Sequence, residues 1–260
     1  MLNDYTQTEF TYEGKTKSVY VRGHGPAVIV IHEIPGITPD VVRFADWVVE
    51  AGFRVYMPLL VGKAGAGLST GYLLKSIATI CISREFHVLA SHRSSPVTDW
   101  LRALLRHAHE EAGGKGVGAI GMCFSGNFAL SMMMEPALLA PVLCQPSMPL
   151  PIGEERKSAL HVSPAEFQCV KDRCAKGGKV LGLRFKGDVM SPPGKFEVLR
   201  RELGNAFEGI ELDDDTANPN SFGGQAHSVV TNDLIDKDGE PTKEAAKRVI
   251  SFFVERLLVA

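Results

Sequence analysis

Three residues in chain order, Cys123, Asp188 and His227, have the types and settings for nucleophilic acyl chemistry. Cys123 sits in Gly121-Met122-Cys123-Phe124-Ser125-Gly126, between an apolar run that reads as a strand and one that reads as a helix. A nucleophile on so tight a strand-to-helix turn needs a strained backbone and small neighbours, which Gly121, Ser125 and Gly126 supply. Such a turn projects the thiol beyond the carboxyl ends of the strands, where doubly wound sheets bind ligands. The helix N-terminus behind it favours a thiolate and an oxyanion. Asp188 ends Lys186-Gly187-Asp188 after a late apolar run, where a carboxylate can orient a histidine and stabilise its imidazolium. His227 lies in the glycine-containing stretch Phe222-Gly223-Gly224-Gln225-Ala226-His227. Each also has a structural reading: a buried cysteine in a glycine-flanked turn, a turn aspartate, a loop histidine. Asp213, Asp214 and Asp215 are rival carboxylates, but such a run reads as a solvated loop and lacks the spacing of a calcium site. The other histidines fall in or beside predicted helices or turns. His32, at the end of a buried strand, could line the site.

The elements that must position these groups follow from periodicity. A hairpin is predicted over 10–22 with its turn at Glu13-Gly14. The β-branched run 27–32 reads as a strand buried on both faces. Thr38-Pro39 starts a helix whose apolar positions Val41, Val42, Ala45, Val48 and Val49 recur at helical spacing. A strand at 53–58 completes a strand-helix-strand unit, which requires a parallel pair and a right-handed crossover. Residues 61–79 carry glycine and no clear period, so an irregular loop or cap is expected there. Further strands are predicted over 116–121, 140–144, 179–185 and 207–212. Helices are predicted over 96–112, 124–134, 164–175, 194–203 and 241–259. One doubly wound α/β domain spanning 1–260 is the expectation.

Composition narrows the classes. With 45% hydrophobic and 22% charged residues and a net charge of −2, the chain reads as globular and lacks the basic footprint of nucleic-acid binding. No apolar run approaches the ~18 residues of a membrane span, and the polar start reads as cytoplasmic. The five cysteines, an odd number without framework spacing, fit a reducing compartment and no zinc or redox pair. Gly62-Lys63-Ala64-Gly65-Ala66-Gly67 lacks the Ser/Thr and the spacing of a nucleotide loop. No metal or other cofactor is called for, and a monomer or small homo-oligomer is expected.

Together, His32-Glu33-Ile34-Pro35-Gly36, the Gly-Met-Cys-Phe-Ser-Gly turn, Lys186-Gly187-Asp188 and Gln225-Ala226-His227-Ser228 resemble the dienelactone hydrolase family, from about residue 27 to the C-terminus. The resemblance implies an α/β-hydrolase fold and opening of an ester or lactone through a thioester on Cys123, with His227 and Asp188 as partners. It further implies that Glu33 contacts the nucleophile as a gate: a resting thiol holds it, and substrate displaces it toward the thiol, which it deprotonates. By the same resemblance the backbone N–H groups of Phe124 and Ile34 form the oxyanion hole, and Arg84 binds a substrate carboxylate, with Ser228 able to assist. Read without the family, Glu33 is a buried carboxylate that needs a partner, and Arg84 suits a surface ion pair with Glu85. The chain departs from the family pattern after the histidine, where Val229-Val230-Thr231-Asn232-Asp233 supplies no second arginine. An anionic pocket therefore competes with one for a neutral ester, and Tyr72 and Lys75 are candidate substitutes. A general carboxylesterase or thioesterase, and a non-reacting hydrolase-fold binding module, are the remaining alternatives. The intact Cys, Asp, His and Glu set argues against the binding module.

Overall fold

The structure is a computed structural model that describes residues 2–82, 95–147, 158–160 and 162–259, with backbone alone for 77–82. An eight-stranded sheet runs in the order β1-β2-β4-β3-β5-β6-β7-β8. The strands are β1 Thr6–Tyr12, β2 Lys15–Arg22, β3 Ala27–Ile31, β4 Arg54–Pro58, β5 Val117–Met122, β6 Leu138–Cys144, β7 Val180–Phe185 and β8 Phe207–Leu212. β1 and β2 pair antiparallel and β2 joins β4 antiparallel; every pairing from β4 to β8 is parallel.

The parallel centre is apolar throughout because both its faces are covered. In β3, Ala27, Ile29 and Ile31 face one core, while Val28 and Val30 face the other. The first core is closed by α3 Pro96–Ala112, the short α4 Phe128–Met132, α5 Pro164–Ala175 and α6 Gly194–Leu203. The second is closed by α1 Pro39–Glu50 and α7 Pro241–Leu257. Local signals set the helix starts. Thr38 Oγ1 accepts from the Val41 N–H at 3.4 Å ahead of Pro39, and Ser163 accepts from Glu166 N ahead of Pro164. Trp100 of α3, fully buried, donates from Nε1 to Lys15 O at 3.0 Å and meets Phe10 edge-on, which fastens the hairpin to the sheet.

Two expectations are corrected. The 61–79 stretch is not irregular throughout: α2, Thr70–Ile82, starts within it. Its glycines lie mostly upstream of that start, and Ser69 opens the helix by accepting from Tyr72 N at 3.3 Å and through its carbonyl from Leu73 N at 2.9 Å. The helix expected over 124–134 is instead a 3-10 turn, Cys123–Ser125, followed by α4. Bonds of the i to i+3 type run from Gly126 N to Cys123 O and from Leu130 N to Asn127 O, so the chain winds tightly where an α-helix was expected. Among the described residues no helix is long and apolar enough to cross a membrane, and no group of metal-ligating side chains assembles.

Candidate active site

The carboxyl ends of β3, β5 and β7 converge on a cavity of about 500 Å³ whose wall includes Glu33, Ile34, Cys123, Asp188, His227 and Ser228. Cys123 occupies the turn after β5 with φ of 55°, in the left-handed region that a non-glycine residue enters only under constraint. Two neighbours make that constraint possible. A Cβ on Gly121 would stand 2.1 Å from Ser125 O, and one on Gly126 would stand 2.5 Å from Pro146 Cα. Ser125 locks the turn: its hydroxyl accepts from Met122 N at 2.9 Å and lies 3.2 Å from the carbonyls of Ile31 and His32 at the end of β3.

Asp188 and His227 meet across 39 residues of chain, with Asp188 Oδ2 at 2.7 Å from His227 Nδ1. Asp188 is placed by Arg184, which is fully buried and bridges the ends of the loop: Nε donates to Ser191 O at 2.7 Å and a terminal nitrogen to Lys186 O at 2.8 Å. The other carboxylate oxygen accepts from Met190 N at 2.9 Å. His227 is placed by Asp233, whose Oδ2 accepts from the backbone N–H groups of His227 and Ser228 at 2.9 and 2.7 Å. With Nδ1 against a carboxylate, Nε2 is left to accept a proton. It is buried without a hydrogen-bond partner among the described residues. Burial alone would lower the His227 pKa, but Cys123 and Asp188 beside it hold it well above its ordinary value. The Cys123 thiol itself lies 3.0 Å from Ser147 Oγ, at the corner that follows β6.

Glu33 takes a different setting. Its carboxylate accepts from Ser228 Oγ at 2.7 Å, from Gln145 Nε2 at 3.2 Å and from Thr231 Oγ1. Burial pushes its pKa up, and the two hydroxyls offset only part of that shift. A Glu33–Cys123 hydrogen bond is not among those of the described residues. Ser228, expected as a substrate contact, here donates to Glu33. His32 is buried beside the site as a neutral ring: Nε2 accepts from Leu60 N at 3.0 Å, so Nδ1 carries the proton toward Glu33 O at 2.7 Å. Burial brings its pKa down to about 4.

Ile34 lines the cavity and Phe124 directly follows Cys123. Arg84 and Glu85 lie outside the described residues. Tyr72 is engaged with the backbone of Lys63. Asp213 and Asp214 sit at the surface, the first against Lys186 and the second accepting from Gly187 N at 2.9 Å. Sequence reasoning missed Gln145, Ser147, Arg184, Lys195 and the roles of Thr231 and Asp233. One signal was present: a buried carboxylate at position 33 requires donors, and the 229–233 stretch that supplies no arginine supplies a threonine hydroxyl.

Comparisons with known proteins agree with this architecture. The sequence model of the dienelactone hydrolase family matches residues 12–159. A protein assigned as a dienelactone hydrolase from Klebsiella pneumoniae superposes with a TM-score of 0.63 at 19% identity, over 96% of this chain and 98% of that one. A dienelactone hydrolase-like promiscuous phosphotriesterase, P91, from metagenomic libraries superposes with a TM-score of 0.63 at 15% identity, over 97% and 98%. An esterase from Pyrococcus furiosus does so with a TM-score of 0.59 at 15% identity, over 97% and 92%. No curated protein matches the chain. The elbow at Cys123, the sheet order and the family match over more than half of the sequence lead to one assignment: the chain is an α/β hydrolase that belongs to the dienelactone hydrolase family.

Proposed function

We propose that the protein hydrolyses a carboxylic ester or lactone with Cys123 as nucleophile, His227 as acid and base, and Asp188 as the group that orients and charges the imidazole. The observation that carries this reading is the pairing of His227 with Asp188 at 2.7 Å beside a cysteine held at positive φ. In the first step the thiol turns from Ser147 toward His227, and Nε2 takes its proton. The thiolate forms a bond to the substrate carbonyl carbon, and the carbonyl electron pair moves to oxygen. The N–H groups of Phe124 and Ile34 are the proposed donors to that oxyanion, a contribution of ~3–4 kcal/mol to transition-state stabilisation for such a donor. Collapse breaks the C–O bond, and the leaving alkoxide takes the proton from His227. Water, deprotonated by the same imidazole, then cleaves the thioester. Glu33 is proposed as a second base that reaches Cys123 only after leaving its three donors.

The cavity favours an uncharged substrate. Among the described residues its ionisable wall groups besides Cys123 are Glu33, Asp188, Asp214, Asp233 and His227, with no lysine or arginine. Leu68, Leu73, Val189, Met190 and Phe222 supply apolar surface, and the last three are exposed at the mouth. An anionic substrate would meet carboxylates there, whereas an apolar acyl or alcohol group would cover side chains now in water. The test compares wild type with Cys123→Ala on neutral p-nitrophenyl esters and on an anionic dienelactone. Turnover of the neutral esters, lost in the variant, is the expected result. Preference for the anionic lactone would shift the substrate assignment and leave the cysteine role intact; full hydrolysis by the variant would remove Cys123 from the chemistry.

A further inference from the structure

Lys195 breaks two local rules at once. It stands in the first turn of α6, directly after Pro193 and Gly194, where the helix dipole favours anions over cations. Its side chain is almost wholly buried, at 1% exposure, although an ammonium group leaves water only at considerable cost unless it gains partners. The neighbouring titratable groups belong to the reaction proposed above. Residues that violate local preference in this way are expected where function requires them.

The geometry shows what Lys195 holds. Its Nζ donates to Pro146 O at 2.9 Å. Pro146 is the residue whose Cα would collide with any side chain at Gly126, so the corner after β6 is pressed against the nucleophile turn. The next residue, Ser147, makes two bonds to Cys123: its N–H donates to Cys123 O at 3.0 Å, and its Oγ lies 3.0 Å from the thiol. One ammonium group therefore anchors the corner that supports both the backbone and the sulfur of Cys123. The titratable groups that face it among the described residues are Cys123 on the turn and Asp188 on the loop after β7.

We propose that Lys195 is a positioning residue for Cys123, fixing the 146–147 corner against the nucleophile turn and supplying a buried positive charge that favours the thiolate. The proposal rests on Cys123 being the nucleophile. Its charge is conditional: burial lowers the Lys195 pKa more than Cys123 and Asp188 hold it up, which leaves it at about 7. The support for the thiolate is thus strongest on the acid side of neutrality and fades as the ammonium loses its proton.

The experiment measures the iodoacetamide alkylation rate of Cys123, read on its own peptide by mass spectrometry, in wild type and Lys195→Met at about pH 6 and about pH 9. Thermal unfolding and residual ester hydrolysis are followed in parallel. Removing the charge should slow alkylation about ten-fold at the lower pH and about two-fold or less at the higher one, and Lys195→Arg should keep the acid-side rate. Equal rates in wild type and Lys195→Met at both pH values would overturn the proposal; an equal loss at both would leave a packing role and overturn the charge. Should Lys195→Met not fold, His227→Ala decides. With the imidazole gone, Cys123 should still be alkylated faster at about pH 6 than Cys169, a half-buried thiol of the same protein, and parity of the two rates would contradict the proposal. Complete alkylation of Cys123 without loss of hydrolysis would instead defeat the nucleophile reading, so the two failures are distinct.

Discussion

Asp188 and Glu33 are equally hidden carboxylates, each about 5% exposed, that line one cavity and are held in opposite ways. Asp188 has a titratable partner, His227, and one backbone N–H. Among the described residues Glu33 has only neutral side-chain donors, Ser228, Thr231 and Gln145. The first arrangement shares charge with an imidazole and holds the His227 pKa up. The second leaves a buried anion with partial compensation and an elevated pKa of its own. A carboxylate paired with a base fixes that base; a carboxylate bound by hydroxyls and an amide is a proton acceptor in reserve.

The contrast can be broken most sharply at Asp188. Asp188→Asn keeps the shape but removes the charge that supports the imidazolium, so kcat should fall by about 10³- to 10⁴-fold in steady-state assays. Glu33→Gln should cost less, about 10²-fold in kcat, and should flatten the acid limb of the pH profile. Equal losses in the two variants would mean that the carboxylates share one role. Stability should respond to pH through the Glu33 half of the site. His32, bonded to the Glu33 carbonyl, binds a proton near 6.5 when unfolded but only at about 4 when folded. The unfolded state therefore holds more protons between those values, and stability is full above about 6.5 and falls as pH drops toward about 4. The His32 contribution to that loss is roughly 3 kcal/mol, readable as the difference between wild type and His32→Asn in urea unfolding at a series of pH values. Glu33, whose raised pKa acts in the opposite sense, is common to both proteins, so an identical pH dependence of stability in wild type and His32→Asn would contradict the neutral-ring assignment. The smallest effect is expected from Thr231→Val, which deletes one donor to Glu33 at nearly constant volume. It should lower unfolding free energy by about 1–2 kcal/mol, with kcat changed by less than about ten-fold.

The two carboxylate settings also differ in how far the sequence reveals them. Cys123 was legible because a strand, a glycine-flanked turn and a helix are local patterns, and Asp188 and His227 because each follows a recognisable run. The parallel sheet was legible for the same reason, since apolar runs buried on both faces alternate with helical periods. The start of α2 was obscured by the glycines ahead of it, and α4 by an apolar run that cannot distinguish α from 3-10 winding. The Glu33 cage was legible only as a need for partners, not in their identity. Its donors come from 112 and 198 residues away, and nothing local marks Gln145 or Thr231 as partners. Arg184 and Lys195 read as solvated charges on a strand and a helix; only the packed structure shows them buried and holding loops of the site. The proposed reactive groups are marked by local sequence pattern, whereas the groups packed around them are marked only by tertiary contact.

The most direct test of the central claim is to trap the covalent intermediate. Wild-type protein is mixed with a neutral p-nitrophenyl ester, quenched in acid within the first turnover, and its peptides are mapped by mass spectrometry. An acyl mass on the peptide carrying Cys123, formed with a burst of p-nitrophenol and absent from Cys123→Ala, is the predicted result. Rapid hydrolysis with no acyl adduct at Cys123, or with the adduct on another residue, would contradict it.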